Sequence, residues 1–277
     1  MKKLILLFFL LFFALCAMSS PGFSDTLKPA VNEKPVFVLS ERDKLALRFT
    51  SGPGSVSIVQ LFTSDADPSG NSALLWMTSL KDKESAVGLW KTVFPVALHL
   101  HLADNNGFKD PFAKSEFDDL AKSYAKLWGT GRVYIPTVAV NGVEWSGWSR
   151  GQDVPPAKDT SPGILKVDGT EQPGIFKVLF TPAKGSYPSL TLHAALLGTG
   201  LQSRPADGKN RGNTLVHDFI PILYKTTGMS SDKNEWKASV ELQKTRGLRN
   251  PKYAVIFWLT QDDITVPLQA TGGYLPD

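Results

Sequence analysis

A chain of 277 residues, 42% of them hydrophobic, is long enough to bury the cores of two modest domains. Its 30 Lys and Arg stand against 26 Asp and Glu, a net charge of +4, which excludes the strongly basic surface that a nucleic acid partner requires. One cysteine, Cys16, excludes a disulfide-stapled scaffold.

The chain begins with Met1-Lys2-Lys3 and the apolar run LILLFFLLFFALCAM. A basic start, an apolar run of about 13–15 residues and small residues at Ala17 and Ser19 predict a signal peptide over residues 1–19. The run is shorter than the roughly 20 residues of a spanning helix, and no later segment is long and apolar enough to cross. The expected product is therefore periplasmic or secreted, without stable membrane association after cleavage. It also has no thiol, because Cys16 leaves with the signal. Residues 20–34 lack periodicity and read as a leader. Residues 35–52, PVFVLSERDKLALRFTSG, predict two short strands around a polar turn, extending the edge of the following sheet.

Residues 55–80, SVSIVQLFTSDADPSGNSALLWMTSL, organise the rest of the N-terminal half. Alternating apolar residues give a strand, Asp67-Pro68-Ser69-Gly70 a tight loop, and the remainder a helix. Such a junction gathers unpaired N–H groups and the positive end of a helix dipole. VFPVALHLHL, residues 93–102, is apolar on nearly every position and suits a parallel strand covered on both faces. Asp110-Pro111 then predicts a helix start, with Phe117, Leu120, Ala121, Tyr124, Leu127 and Trp128 on its buried side. The strand–helix–strand–helix order calls for a parallel pair with a right-handed crossover. In RVYIPTVAVNGVEW, Pro136 stands at the mouth of an apolar strand, where a cis Ile135–Pro136 bond would serve as a turn into the sheet; Asn141-Gly142 is a hairpin turn. Past a Pro/Gly linker over residues 152–163, about seven short alternating runs predict an all-β sandwich over residues 164–277.

Three groups of residues invite chemistry. The helix N-terminus at Ser69 could hold a ligand carboxylate, and as plain structure Asp67 or Ser69 would simply cap the helix. His99 and His101 alternate on a strand with Asp104 beyond, a residue set that suits Zn or Cu. His217-Asp218 looks like half of a catalytic triad, but no Gly-x-Ser-x-Gly elbow supplies a nucleophile. Trp145 and Trp148 read as packing residues.

LFTSDADPSGNSA, the strand end at His101, FKDPFAKSEFDDLAKSYA, VYIPTVAVNG and GKNRGNTLVHDFIP together resemble the DUF1223 family of secreted proteins. The resemblance implies a thioredoxin-like domain with a cis-proline motif, followed by a β-rich domain. Family members carry Leu-Phe-Thr-Ser-x-x-Cys-x-x-Cys, and this chain has Asp67 and Gly70 at the two cysteine positions.

The expected fold class is thus an α/β thioredoxin-like N-terminal domain over residues 35–151, followed by an all-β sandwich-like C-terminal domain. The expected function is binding of a polypeptide or peptide-like ligand by Asp67, Ser69, Gly70, Ile135 and Pro136, with no cofactor and no catalytic residue. One alternative is a glutathione-type enzyme in which Ser69 or Thr63 orients a bound thiol. Another is a metal site at His99, His101 and Asp104. Thiol–disulfide exchange needs a thiolate, which neither Asp67 nor Gly70 can supply. Protein beginning at Ser20 is expected to give no turnover in an insulin-reduction assay; turnover that survives removal of contaminating reductases would refute the expected lack of disulfide-reductase activity.

Overall fold

The computed structural model describes residues 47–104, 108–242, 252–261 and 265–276. The expected signal peptide, the leader and the first strand of the predicted hairpin lie outside the described residues. In chain order come β1 (Arg48–Thr50), β2 (Ser57–Thr63), α1 (Gly70–Asp82), the short α2 (Glu84–Val87), β3 (Val93–His99), α3 (Ser115–Leu127), β4 (Thr137–Val140) and β5 (Val143–Glu144). Then come β6 (Gly163–Gly169), β7 (Ile175–Pro182), β8 (Thr191–Thr199), β9 (Leu201–Ser203), β10 (Leu215–His217) and β11 (Ile220–Gly228). The last are β12 (Ser230–Asp232), β13 (Glu235–Glu241), β14 (Lys252–Thr260) and β15 (Pro267–Tyr274).

These strands build three larger sheets and a β9–β10 ribbon. The first has the order β3-β2-β4-β5, with β2 and β3 parallel and the other pairs antiparallel. The second, β11-β8-β14-β15, and the third, β1-β6-β7-β13-β12, are antiparallel throughout.

The second sheet sits between two cores, and its sequence shows why. Side chains alternate across a strand, so a strand covered on both sides must be apolar at odd and even positions alike. Ala195 and Leu197 of β8, with Ala254, Ile256 and Trp258 of β14, face the core shared with β2, β3, α1 and α3. Leu192, Ala194 and Leu196, with Val255, Phe257 and Leu259, face the core shared with Leu165, Val167, Phe176 and Phe180 of the third sheet.

The expected fold class is corrected by this arrangement. Among the described residues strand far outweighs helix, with α1 and α3 the two substantial helices. An α/β thioredoxin-like domain followed by a separate sandwich does not describe it. The described residues fall in one compact unit, because one apolar face of the middle sheet is buried by the sheet and helices of the N-terminal half. Sequence order suggests a boundary that packing removes.

Other local expectations shift with it. β1 does not extend the first sheet; it pairs with β6, Phe49 opposite Val167. α3 begins at Ser115, not at Asp110, whose carboxylate is engaged elsewhere. The Asn141-Gly142 turn has φ of 50° and 82°, the left-handed pair that a two-residue hairpin needs, and the Ile135–Pro136 bond is cis. Trp145 and Trp148 pack against Trp76 of α1 at 5.6 and 6.4 Å between ring centroids.

Polar contacts also lock the halves together. Ala97 N–H of β3 donates to Phe219 O at 3.0 Å. Buried Asp218 accepts hydrogen bonds from Thr78 Oγ1 (2.8 Å), Lys81 Nζ (2.9 Å) and Gly200 N–H (2.9 Å), tying α1 to the β8–β9 turn. Removing a buried hydrogen-bonded carboxylate strands its donors, and only Lys81, whose side chain is 31% exposed, can turn to water. Asp218→Ala is expected to cost about 2–3 kcal/mol, seen as a lower urea midpoint with an unchanged slope. A cost within a few tenths of a kcal/mol would show that this tie carries no weight.

Candidate functional site

The carboxyl ends of β2 and β3 and the entry to β4 meet at one end of the first sheet. Register fixes this: Thr63 lies beside His99 in the parallel pair, and Phe62 lies opposite Thr137 in the antiparallel one. Residues 64–69 and the Ile135-Pro136 turn therefore emerge at the same sheet end.

The loop is more self-contained than expected. Asp67 accepts hydrogen bonds from Ser69 N–H (3.0 Å) and Ser69 Oγ (2.5 Å), so these two residues satisfy each other. Ser69 occupies the N-cap position of α1 without a side-chain cap. Gly70 is buried, and a Cβ there would stand 2.5 Å from Thr63 Oγ1, so the close packing of the loop on β2 requires glycine. Thr63 is itself fully buried, which removes its hydroxyl from any soluble ligand.

The Ile135 side of the site is open. Among the described residues, the main-chain N–H and C=O of half-buried Ile135 have no hydrogen-bond partner. Beside it runs a groove lined by Phe62, Tyr124, Trp128, Val133, Tyr134 and Thr137. Tyr124 stacks on Trp128 at 5.1 Å and forms its floor. Tyr134, which lines the groove, is 42% exposed and so offers an apolar ring to solvent. Tyr134 is held upright by its hydroxyl donating to Glu144.

Behind the loop lies a buried charged cluster. Asp65, His99, Asp110 and His217 are all 0–5% exposed. His99 Nδ1 lies 2.8 Å from Asp110 Oδ2, which also accepts from Asp65 N–H at 2.7 Å, while Asp110 Oδ1 accepts from Phe112 N–H at 2.9 Å. Ser203 Oγ donates to Asp65 Oδ2 at 2.5 Å and lies 2.8 Å from His217 Nε2. Asn210 Nδ2 donates to Asp65 O at 2.8 Å. The rings of His99 and His217 stand 5.3 Å apart, and Phe112 packs edge-on against both.

Proximity sets opposite titration behaviour on similar groups. Burial alone would raise the Asp110 carboxyl, but the His99 charge and the hydrogen bonds from His99, Asp65 N–H and Phe112 N–H hold it at about 2. Burial pushes Asp65 up to about 6, the His99 charge opposing and the Asp110 charge adding. Burial also opposes a charge on His99, yet Asp110 outweighs it and the imidazole is raised. His217 is pushed down to about 3, chiefly by burial and further by the His99 charge.

The expected metal trio does not assemble. The strand ends at His99, so alternation no longer aligns the next histidine. His101 opens a 3-10 turn and faces Asp118 at 2.7 Å, half exposed. Asp104 accepts from Asp110 N–H at 3.1 Å. Of the three, only His99 enters the buried cluster, and its neighbours there are Asp65 and His217. Nothing local in the sequence singles out Asp65 or Ser203, and Asp110 reads there as a helix cap. The usable signal is that Asp65, His99 and His217 all stand at or just past strand carboxyl ends.

A family model described as "Protein of unknown function (DUF1223)" matches residues 58–259. No curated protein matches the chain. Among solved structures, the chain is similar to the crystal structure of protein AGR_C_4864 from Agrobacterium tumefaciens, with 14% identity and a TM-score of 0.52 over 80% of this chain and 96% of that one. It is also similar to HBP35 of Porphyromonas gingivalis, with 13% identity and a TM-score of 0.50 over 80% of this chain and 76% of that one. At such identities the likeness is one of fold alone.

Asp110 gives the cluster a pH signature. Because its folded pKa of about 2 lies below the ordinary 3.8, its contribution is present above about pH 4 and is lost as pH falls through about 2. Asp110→Asn is expected to cost about 3 kcal/mol at pH 7, with the gap to the unaltered chain narrowing as pH drops from 4 towards 2. Urea melts at pH 7 and pH 3 would measure it; a gap that widens in acid would reverse the assigned direction.

Proposed function

The chain belongs to the DUF1223 family, whose description carries no activity, and we propose that this member is a polypeptide-binding protein that works without thiol chemistry. The observation that carries the proposal is the open edge at Ile135 beside an apolar groove. An extended ligand can use the free N–H and C=O of Ile135 as a strand pairs, while one of its apolar side chains enters between Tyr134, Thr137 and Trp128. Main-chain pairing gives affinity with little sequence preference, and the groove adds a preference for a bulky apolar residue.

The loop over residues 67–70 has a smaller part in this reading than the sequence suggests. Asp67 keeps a carboxylate at the start of α1, where a ligand anion would otherwise sit. A glutathione-type enzyme would need Thr63 or Ser69 free to orient a thiol; Thr63 is buried and Ser69 is bonded to Asp67. The polypeptide reading uses neither hydroxyl. The proposed setting is the periplasm or the extracellular space, which follows from the apolar N-terminal run.

Binding to a library of extended peptides, followed by titration calorimetry on those retained, tests the proposal. The expected outcome is a dissociation constant in the roughly micromolar range for peptides with a large apolar residue. Tyr134→Ala should weaken it about tenfold, the loss expected for one well-buried aromatic contact, and Asp67→Asn should leave neutral peptides unaffected. A library that yields no binder, or binders indifferent to Tyr134→Ala, would end this reading.

A further inference from the structure

The buried cluster behind the loop holds more acceptors than it can satisfy. Asp65 illustrates this: its N–H, its carbonyl and Oδ2 are each committed, to Asp110, Asn210 and Ser203, whereas Oδ1 is buried with no hydrogen-bond partner. His99 has Nδ1 committed to Asp110 and Nε2 buried without a partner. His217 has Nε2 committed to Ser203 and Nδ1 buried without a partner. In the neutral rings, His99 Nδ1–H donates to Asp110 and His217 Nε2–H donates to Ser203, which itself donates to Asp65. Both remaining nitrogens are then bare lone pairs. Three unpaired acceptors in one small interior region cost several kcal/mol unless a cation or a donor serves them.

We propose that Asp65, His99 and His217 bind one divalent first-row transition-metal ion of the Zn2+ type. One ligating atom from each residue can be chosen so that all three lie within 4.8 Å of one another, a spacing that small side-chain movements bring to the roughly 3.3 Å between ligand atoms on a tetrahedral ion. Asp65 Oδ1 stands 3.7 Å from His99 Nδ1 and 3.5 Å from His217 Nε2, too long for hydrogen bonds, so the oxygen lies beside both rings and is served by neither; because those two nitrogens carry the protons given to Asp110 and Ser203, binding an ion requires each ring to turn its bare nitrogen toward Asp65 or to release that proton. Two imidazoles and one carboxylate, with no thiolate, suit Zn2+ and its divalent neighbours and disfavour Cu+. The surroundings are those of a metal centre as well. Asp110 orients the His99 ring, Ser203 orients both His217 and Asp65, and Phe112 walls the rings from water. This site differs from the trio expected from the sequence, since His101 and Asp104 take no part, and it is independent of the peptide edge at Ile135.

The test uses the full chain, stripped with a chelator and passed through gel filtration, with Zn2+ and Co2+ as probes. Stripped protein is expected to take up one Zn2+ per chain, with a melting temperature raised by several degrees because the ion binds only where the fold brings the three residues together. With Co2+ it should show the visible d–d bands of a four- or five-coordinate ion and no thiolate charge-transfer band. His217→Asn should lose the bands and the thermal shift, and His101→Ala should keep both. Should His217→Asn fail to fold, the Co2+ spectrum and stoichiometry of the unaltered chain still decide the matter. A stripped chain that takes up neither ion, or one whose uptake is lost in His101→Ala and kept in His217→Asn, would overturn the proposal.

Discussion

The sheet β11-β8-β14-β15 has no solvent face over its central strands, and the other layers are placed by the need to cover it. Odd and even residues of β8 and β14 are apolar, so one cover would leave a row of large side chains such as Trp258 and Ile256 in water. At about 25 cal/mol for each Å2 of apolar surface, exposing such a row would cost more than the net stability of most domains. The N-terminal sheet and its helices supply the second cover. Their position is thus set by the middle sheet's burial, and the end of β2 and β3 is brought against the β9–β10 ribbon as a result.

That placement creates the polar cluster. Asp65 and His99 come from the N-terminal half, Ser203, Asn210 and His217 from the C-terminal half, and the seam between them is dry. A charge in a dry seam survives only when it is served, and the Asp110 carboxylate is served by His99 Nδ1, Asp65 N–H and Phe112 N–H. Asp65 is drawn the other way by the same burial. The peptide edge lies at the same sheet end but faces water, so one end of the sheet presents a dry polar interior and a wet apolar rim.

Much of this is legible in the sequence at the level of elements, because element type depends on local periodicity. The organising strand and helix, the parallel partner at residues 93–99 and the Asn141-Gly142 hairpin follow from spacing and turn chemistry alone. The layer arrangement is not legible, since the same apolar run in β8 fits a sandwich strand or a strand covered twice. Partnerships across long separations are hidden for a related reason. His99 and His217 are more than a hundred residues apart, and nothing local distinguishes a histidine aimed into a seam from one facing a backbone carbonyl. Asp110 misleads because Asp-Pro is a good helix start; the tertiary demand of His99 outweighs that local preference.

The pairing of β1 with β6 bears on how the chain reaches its structure. Arg48–Thr50 lie ahead of the whole first sheet, yet their strand partner is residues 166–168, and Gln269, near the other end, donates to the carbonyls of Gly52 and Gly54. A growing polypeptide would therefore leave its early residues waiting until nearly all the rest has been made. Contacts of such long sequence separation carry a large loop-closure cost before they return any stabilisation, which gives the topology a high contact order and slow assembly. An exposed, half-built middle sheet would meanwhile offer unpaired edges to neighbouring chains. Delaying collapse until the chain is complete, as a holding chaperone does, would suit this architecture better than folding from the N-terminus as synthesis proceeds.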